Sequence, residues 1–242
     1  MESPYIFGHR GGMGLCIENT MKCFKNAINL GVGIESDVQL TKDNILICFH
    51  DHSINLDSKI YDVANLSYKD LLKLEFSDHR KIPTILELLS IVLKSPEVRL
   101  SFDVRDFQAA KKLVDLSRNN NLLSRVEITD RRLSLISRLR SYERHVNLVY
   151  TLPENIIKID DNNVNFPRLK RLEVKAINVR SHRVNIHNFR KIIEHDLDCY
   201  VWALNYKSRT KRIFGLQEQN KKVAAIYTDY PDIALQIRDK LN

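Results

Sequence analysis

The chain has 242 residues, 43% hydrophobic and 28% charged, with only 7 Gly and 6 Pro. That composition excludes disordered, collagen-like and low-complexity classes, and no apolar run approaches the roughly 20 residues of a membrane-spanning helix. Lys and Arg number 38 against 30 Asp and Glu, and the whole net charge of +8 falls between residues 168 and 212, where 12 basic residues meet 4 acidic ones. Such a stretch suits an anionic partner (a phosphorylated substrate, an anionic membrane in peripheral contact, a nucleic acid) or is simply a set of solvated helices. Its aromatics, Phe189, Tyr200, Trp202 and Tyr206, do not alternate with Lys and Arg as a stacking platform would, which argues against nucleic acid.

The first residues, Met1-Glu-Ser-Pro4, show neither a basic leader nor an apolar stretch of signal length. The four cysteines, Cys16, Cys23, Cys48 and Cys199, contain no Cys-x-x-Cys pair. A chain of this size can build its core without disulfides, so the expectation is reduced thiols in a cytoplasmic protein.

In chain order, β-type runs fall at residues 5–8, 33–40, 45–49, 99–104, 125–128, 146–150, 176–179, 200–204 and 224–227. Several are nearly continuous apolar runs, as in strands covered on both faces. Helical patterns fall at 20–30, 84–94, 107–118, 131–140, 186–194, 208–217 and 231–240, with Pro83 and Pro231 expected in first turns, where a missing N–H costs nothing. No Gly/Ser-rich or Pro-rich linker and no internal repeat divides the chain, so one domain over residues 1–242 is expected.

Nine strands are one too many for a closed eight-stranded barrel. Residues 33–40 and 45–49 are joined by Thr41-Lys-Asp-Asn44, a polar hairpin turn, whereas a parallel neighbour needs a crossover of about a dozen residues or more. Segment 45–49 therefore folds back antiparallel. What remains is a (β/α)8 TIM barrel with an antiparallel β-flap after the second strand. The alternative, a doubly wound sheet, would carry a Gly-rich phosphate turn after its first strand, and Gly8-His-Arg-Gly-Gly12 lacks that spacing.

Polar residues gather at the C-terminal ends of these strands, where barrel enzymes keep their active sites. The first strand ends in His9-Arg10 and the second carries Glu35-Ser-Asp37. The flap returns with His50-Asp51, the third barrel strand ends in Asp103-Val-Arg105, and later strands offer Trp202, Asn205 and Thr228-Asp229. Glu35 and Asp37 project to one side of their strand, roughly 7 Å apart. With Asp103 from the next strand they form an oxygen-only donor set suited to Mg2+, Ca2+ or Mn2+; the bland reading is a surface pair with an unrelated ion pair. His9 and His50, each beside a charged residue at the same rim, can serve as general acid and general base. His52, His79, His145, His182, His187 and His195 lack that setting and read as structural or solvent-facing.

The ordered set Gly8-His-Arg-Gly11, Glu18-Asn-Thr20, Ile34-Glu-Ser-Asp-Val38, Thr41-Lys-Asp-Asn44, His50-Asp51, Ile82-Pro-Thr84, Trp202, Asn205 and Thr228-Asp-Tyr-Pro231 resembles the glycerophosphodiester phosphodiesterase family over nearly the whole chain. The resemblance implies a metal-dependent (β/α)8 barrel that hydrolyses glycerophosphodiesters to glycerol 3-phosphate and an alcohol. His9 and His50 match the family's acid/base pair, and Glu35 and Asp37 its metal ligands. Asp103 stands where the family has a third-strand Glu, and Arg105 where it has Lys. Arg10 matches the phosphate contact; Glu18, Asn19, Arg105, Trp202 and Asn205 are the further substrate-binding candidates. The family's Arg-Thr after the flap reads Leu56-Asp57 here, and its Ser-Phe on the fourth strand reads Thr129-Asp130. Two other readings compete: a lipid-directed phosphodiesterase (lysophospholipase D or sphingomyelinase-D-like), and a catalytically silent barrel serving as a binding protein.

Overall fold

A computed structural model describes residues 3–241 of the chain. Residues 1, 2 and 242, part of the expected domain span, lie outside the described residues.

The first half of the chain runs β1 (Tyr5–Gly8), α1 (Met21–Asn29), β2 (Gly33–Leu40), β3 (Leu46–Cys48), β4 (Ser53–Leu56), β5 (Lys59–Asp62), α2 (Tyr68–Leu71), α3 (Ile85–Val92), β6 (Leu100–Val104) and α4 (Phe107–Asn119). The second half runs β7 (Val126–Asp130), α5 (Leu133–Tyr142), β8 (Asn147–Thr151), α6 (Phe166–Arg171), β9 (Ala176–Arg180), α7 (Ile186–Glu194), β10 (Asp198–Trp202), α8 (Lys207–Phe214), β11 (Gln217–Glu218), β12 (Lys221–Lys222), β13 (Ala225–Thr228) and α9 (Pro231–Leu241).

Strands β1, β2, β6, β7, β8, β9, β10 and β13 pair in parallel, and β1 hydrogen-bonds to both β13 and β2, which closes the ring. Alternation along each strand sorts the apolar residues into two layers. Ile34, Leu100, Phe102, Ile128 and Ile177 join the shell between strands and helices. Phe7, Val149, Ala176, Tyr200 and Tyr227 fill the lumen, where Phe7 and Tyr227 stack with centroids 5.0 Å apart. Near the N-terminal end of the lumen the buried Glu127 accepts from Lys175 at 2.7 Å, from Tyr200 Oη at 3.0 Å and from Arg99. That network plugs one end of the barrel, so the opposite end carries the cleft.

The flap is present as β3, antiparallel to β2 through the register Val38↔Cys48, Gln39↔Ile47 and Leu40↔Leu46. It takes the edge of β2 that β1 leaves after Ile34: the Asp37 carbonyl accepts from Phe49, while the next carbonyl, of Val38, turns to Arg105 beside β6. Beyond it, β4 and β5 form a second hairpin that sequence patterning did not reveal, with Asp57 (φ 48°) and Ser58 (φ 62°) at its two-residue turn. Ile47, Phe49, Ile54, Val63, Leu71 and Ile82 give this insertion an apolar cluster of its own.

Two expectations are corrected here. Pro83 is not in a first turn: Thr84 is the N-cap of α3 and forms a capping box with Glu87, while the Pro83 carbonyl accepts from Cys48 N–H. Nor are all four thiols reduced, because Cys16 and Cys23 form a disulfide. Seven residues apart, they join the β1–α1 loop to the first turn of α1, a proximity that spacing alone does not signal. Cys48 and Cys199 are free and buried. The cytoplasmic expectation therefore loses its cysteine argument.

Candidate active site

At the C-terminal ends of the strands lies a cleft of about 480 Å3. Its lining includes His9, Arg10, Glu35, Asp37, His50, Asp103, Arg105 and Trp202 among the expected residues. Glu18, Asn19 and Asn205 do not line it; Glu18 and Asn19 hold the lining residues Arg10 and Asp37, and Asn205 holds Asp229, the partner of His9.

The β1–α1 junction sets the first group. Gly11 has φ +86°, and a Cβ there would lie 3.0 Å from the Phe24 ring and 3.1 Å from Cys23 Cβ, so the chain can turn this tightly only at glycine. Arg10 is itself left-handed (φ 51°), a costly conformation for a side-chain-bearing residue. Its backbone N–H thereby donates to Glu35 Oε2 at 2.8 Å. Its guanidinium donates to Glu18 at 2.7 Å, and Nε lies 3.1 Å from Asp37 Oδ2 with no hydrogen-bond alignment. The buried Asn19 accepts from Ser36 Oγ at 2.7 Å and donates to Asp37 Oδ2 at 3.1 Å, which fixes the Asp37 rotamer.

Glu35, Asp37 and Asp103 each offer an oxygen, all within 4.8 Å of one another. Register explains the meeting: Asp37 is directly opposite Asp103 on β6, and Glu35 sits one inward position below on β2. Thr129 on β7 donates its hydroxyl to Asp103, and with that support the shorter Asp side chain still reaches the group. Burial and the Asp37 charge push the Glu35 carboxyl well above the usual carboxylate range. Three convergent carboxylates without sulfur fit a hard divalent cation, whose charge would relieve that repulsion.

His9 is fixed from the last strand. Its Nδ1 donates to Asp229 Oδ1 at 2.7 Å, and its Nε2 lies 3.9 Å from Glu35 Oε2. Desolvation lowers its pKa, but the hydrogen bond to Asp229 and the Glu35 charge outweigh that and raise it to about 9. Asn205 grips Asp229 in turn, accepting from its backbone N–H at 2.9 Å and donating to its carboxylate. His50 is held by Asp51, with Nδ1 to Oδ1 at 2.7 Å. Buried Gln39, inward-facing on β2, donates to the carbonyls of both Phe49 and Asp51 at 2.8 Å and so brackets His50 from below.

Sequence reasoning missed Asp229 and Gln39 as holders of the two imidazoles. Asp229 stood in the quoted Thr228-Asp-Tyr-Pro231 segment, and Gln39 follows Glu35 and Asp37 on the inward parity of β2. His52 is solvent-exposed, as expected, but it also lines the cleft beside Arg105, in hydrogen-bond contact with that guanidinium. The basic stretch 168–212 is not one face either. Lys175 serves the barrel plug, Arg183 is buried on the carbonyls of Pro153 and Ile156, and Arg190 and Lys191 pair with Glu218 and Asp161.

A model of the glycerophosphoryl diester phosphodiesterase family matches residues 9–233. The chain belongs to that family. It is 24% identical to a glycerophosphodiester phosphodiesterase of Bacillus altitudinis over 98% of both chains. It is 23% identical to mouse lysophospholipase D over 97% of this chain and 85% of that one. Among solved structures it superposes on the Thermotoga maritima glycerophosphodiester phosphodiesterase with a TM-score of 0.80 at 20% identity, over 98% of this chain and 100% of that one. A phosphodiesterase of Oleispira antarctica, solved with its product sn-glycerol-3-phosphate, gives a TM-score of 0.81 at 17% identity over 98% and 97%. The protein is a phosphoric diester hydrolase of the glycerophosphodiester phosphodiesterase type. No helix of the described residues is long and apolar enough to cross a membrane.

Proposed function

We propose that this chain cleaves glycerophosphodiesters to glycerol 3-phosphate and an alcohol by proton transfer through His9 and His50, beside a divalent cation held by Glu35, Asp37 and Asp103. The observation that carries the reading is His9 suspended between Asp229 at Nδ1 and the carboxylate group at Nε2. A divalent cation bound there would supply charge compensation for the phosphoryl oxygens and acidify an attacking hydroxyl.

The protein's own groups do the rest. With Nδ1 committed to Asp229, His9 presents Nε2 to the cleft, and His50, committed to Asp51, does the same. One imidazole takes the proton of the attacking hydroxyl as its oxygen bonds to phosphorus. The other gives a proton to the leaving alcohol as the old P–O bond breaks. Arg10 supplies positive charge for the phosphate. Glu18, Asn19 and Asn205 act as positioning residues. The test is hydrolysis of glycerophosphodiesters with Mg2+, Ca2+ or Mn2+: His9→Ala and His50→Ala should each lose orders of magnitude in kcat at an unchanged thermal midpoint. Wild-type turnover in both variants would overturn the assignment.

A second reading, release of the headgroup from lysophospholipids, is favoured by the resemblance to mouse lysophospholipase D. It is also favoured by Met13, Leu15, Ile17, Ile157 and Tyr206, apolar side chains exposed on loops at the cleft end of the barrel, where peripheral contact with a membrane would bring substrate. Choline release from lysophosphatidylcholine vesicles, set against water-soluble glycerophosphocholine, separates the two.

A further inference from the structure

The cleft is asymmetric in charge once its internal pairs are accounted for. Its acidic lining residues are Glu35, Asp37, Asp103, Asp130 and Glu154. The first three form the carboxylate group already described. Asp130 is neutralised by Arg132, whose Nε lies 2.9 Å and Nη2 2.6 Å from its two oxygens. Glu154 is paired with Arg180 at 2.9 Å. Among the described residues that line the cleft, no carboxylate outside that group is left unpaired to receive an ammonium group.

The cations are different. Arg105, just beyond β6, and Arg131, just beyond β7, line the same wall and are exposed. Among the described residues the Arg131 side chain has no ion-pair or hydrogen-bond partner, and the Arg105 side chain hydrogen-bonds to the His52 ring and to no carboxylate. Arg132 keeps them on one wall, because besides chelating Asp130 it donates to the carbonyls of Val104 and Arg105 and ties the two loops together. The tryptophan of the cleft is also taken. The Arg180 guanidinium lies over the Trp202 ring at 5.0 Å, so a face that would attract a quaternary ammonium by cation–π contact is already covered by a cation.

We infer that the alcohol half of the substrate carries its own negative charge, a phosphate or a carboxylate, and that Arg131 together with Arg105 selects it. The inference rests on the phosphodiesterase reading above and specifies its substrate class. Choline esters meet this wall with the wrong charge. An anionic alcohol gains charge-assisted hydrogen bonds from two arginines that otherwise lack a carboxylate.

The experiment measures kcat/KM of the metal-loaded enzyme for four substrates sharing the glycerol phosphate half. They are glycerophosphocholine, glycerophosphoglycerol, bis(glycerophospho)glycerol and the glycerol phosphate ester of 3-hydroxypropionate. The expected order puts either or both anionic alcohols about ten-fold or more above glycerophosphocholine, the size of one good charged contact. A gain confined to bis(glycerophospho)glycerol assigns the wall to phosphate, and a gain with both assigns it to negative charge in general. Arg131→Glu should collapse the preference through KM, with the thermal midpoint unchanged. Glycerophosphocholine turned over as well as the anionic alcohols, or an Arg131→Glu enzyme with the wild-type ratio, would overturn the inference while leaving the phosphodiesterase reading intact. No turnover of any of the four by the wild type would overturn that reading, and this one with it.

Discussion

Asp229 accepts the Nδ1 proton of His9 at 2.7 Å, although the two residues stand 220 positions apart in the chain. A carboxylate behind an imidazole fixes which nitrogen faces the substrate and favours the protonated ring. Asp229→Asn removes the charge and keeps the size, so kcat should fall about 10- to 100-fold with little change in KM. Asp229→Glu should recover part of the loss. Steady-state kinetics beside a melting curve check this, and an unchanged kcat would remove Asp229 from the positioning role.

Gln39 holds the flap strand on either side of His50 through two carbonyls. Gln39→Leu leaves both carbonyls without that donor in a buried place, at a cost of about 1–3 kcal/mol. The expected result is a lower unfolding midpoint and a fall in kcat larger than stability alone explains, because His50 loses its register. Gln39→Glu, which supplies no amide donor at neutral pH, should resemble Gln39→Leu rather than the wild type.

Removing and restoring metal gives a test that does not depend on turnover. The carboxylates of Glu35, Asp37 and Asp103 repel one another when nothing positive lies among them. Saturating cation at about 100 times its Kd should add about 2.7 kcal/mol, which for a chain of this size is a rise in Tm of roughly 5–10 °C. Glu35→Gln should melt higher than the wild type in chelator and gain far less on adding Mg2+, Ca2+ or Mn2+. Equal metal-induced shifts in wild type and Glu35→Gln would place the cation elsewhere.

The disulfide invites a redox comparison. Cross-linking residues seven positions apart restricts the unfolded chain by about 2.5 kcal/mol in the chain-entropy account. Reduction, or Cys16→Ser, should therefore lower Tm by roughly 5–10 °C. Thiol titration of the denatured, unreduced protein should find the two free cysteines, Cys48 and Cys199. Four titrating thiols would show that the bridge does not form in solution.

The barrel was legible because buried parallel strands are written as apolar runs, and because Thr41-Lys-Asp-Asn44 is too short for anything but a hairpin. The carboxylate group was legible for a related reason: Glu35 and Asp37 share a parity, and register alone carries Asp103 to them. What escaped depends on distance through space rather than along the chain. Nothing near His9 announces Asp229, nothing near Cys16 announces its bond to Cys23, and the hairpin of β4 and β5 turns on two positive-φ residues that are neither Gly nor Asn. The basic stretch misled for the opposite reason. Neighbours in sequence such as Lys175, Arg183 and Arg190 are sent by the winding chain to the plug, the interior and an outer helix.

The seam between β1 and β13 has a consequence for biosynthesis. The imidazole follows β1 and its carboxylate support follows β13, 220 residues later, so a chain not yet synthesised as far as β13 holds only half of the couple. Hydrolytic competence is thereby tied to ring closure, and appearance of activity during refolding would time the moment the circle shuts.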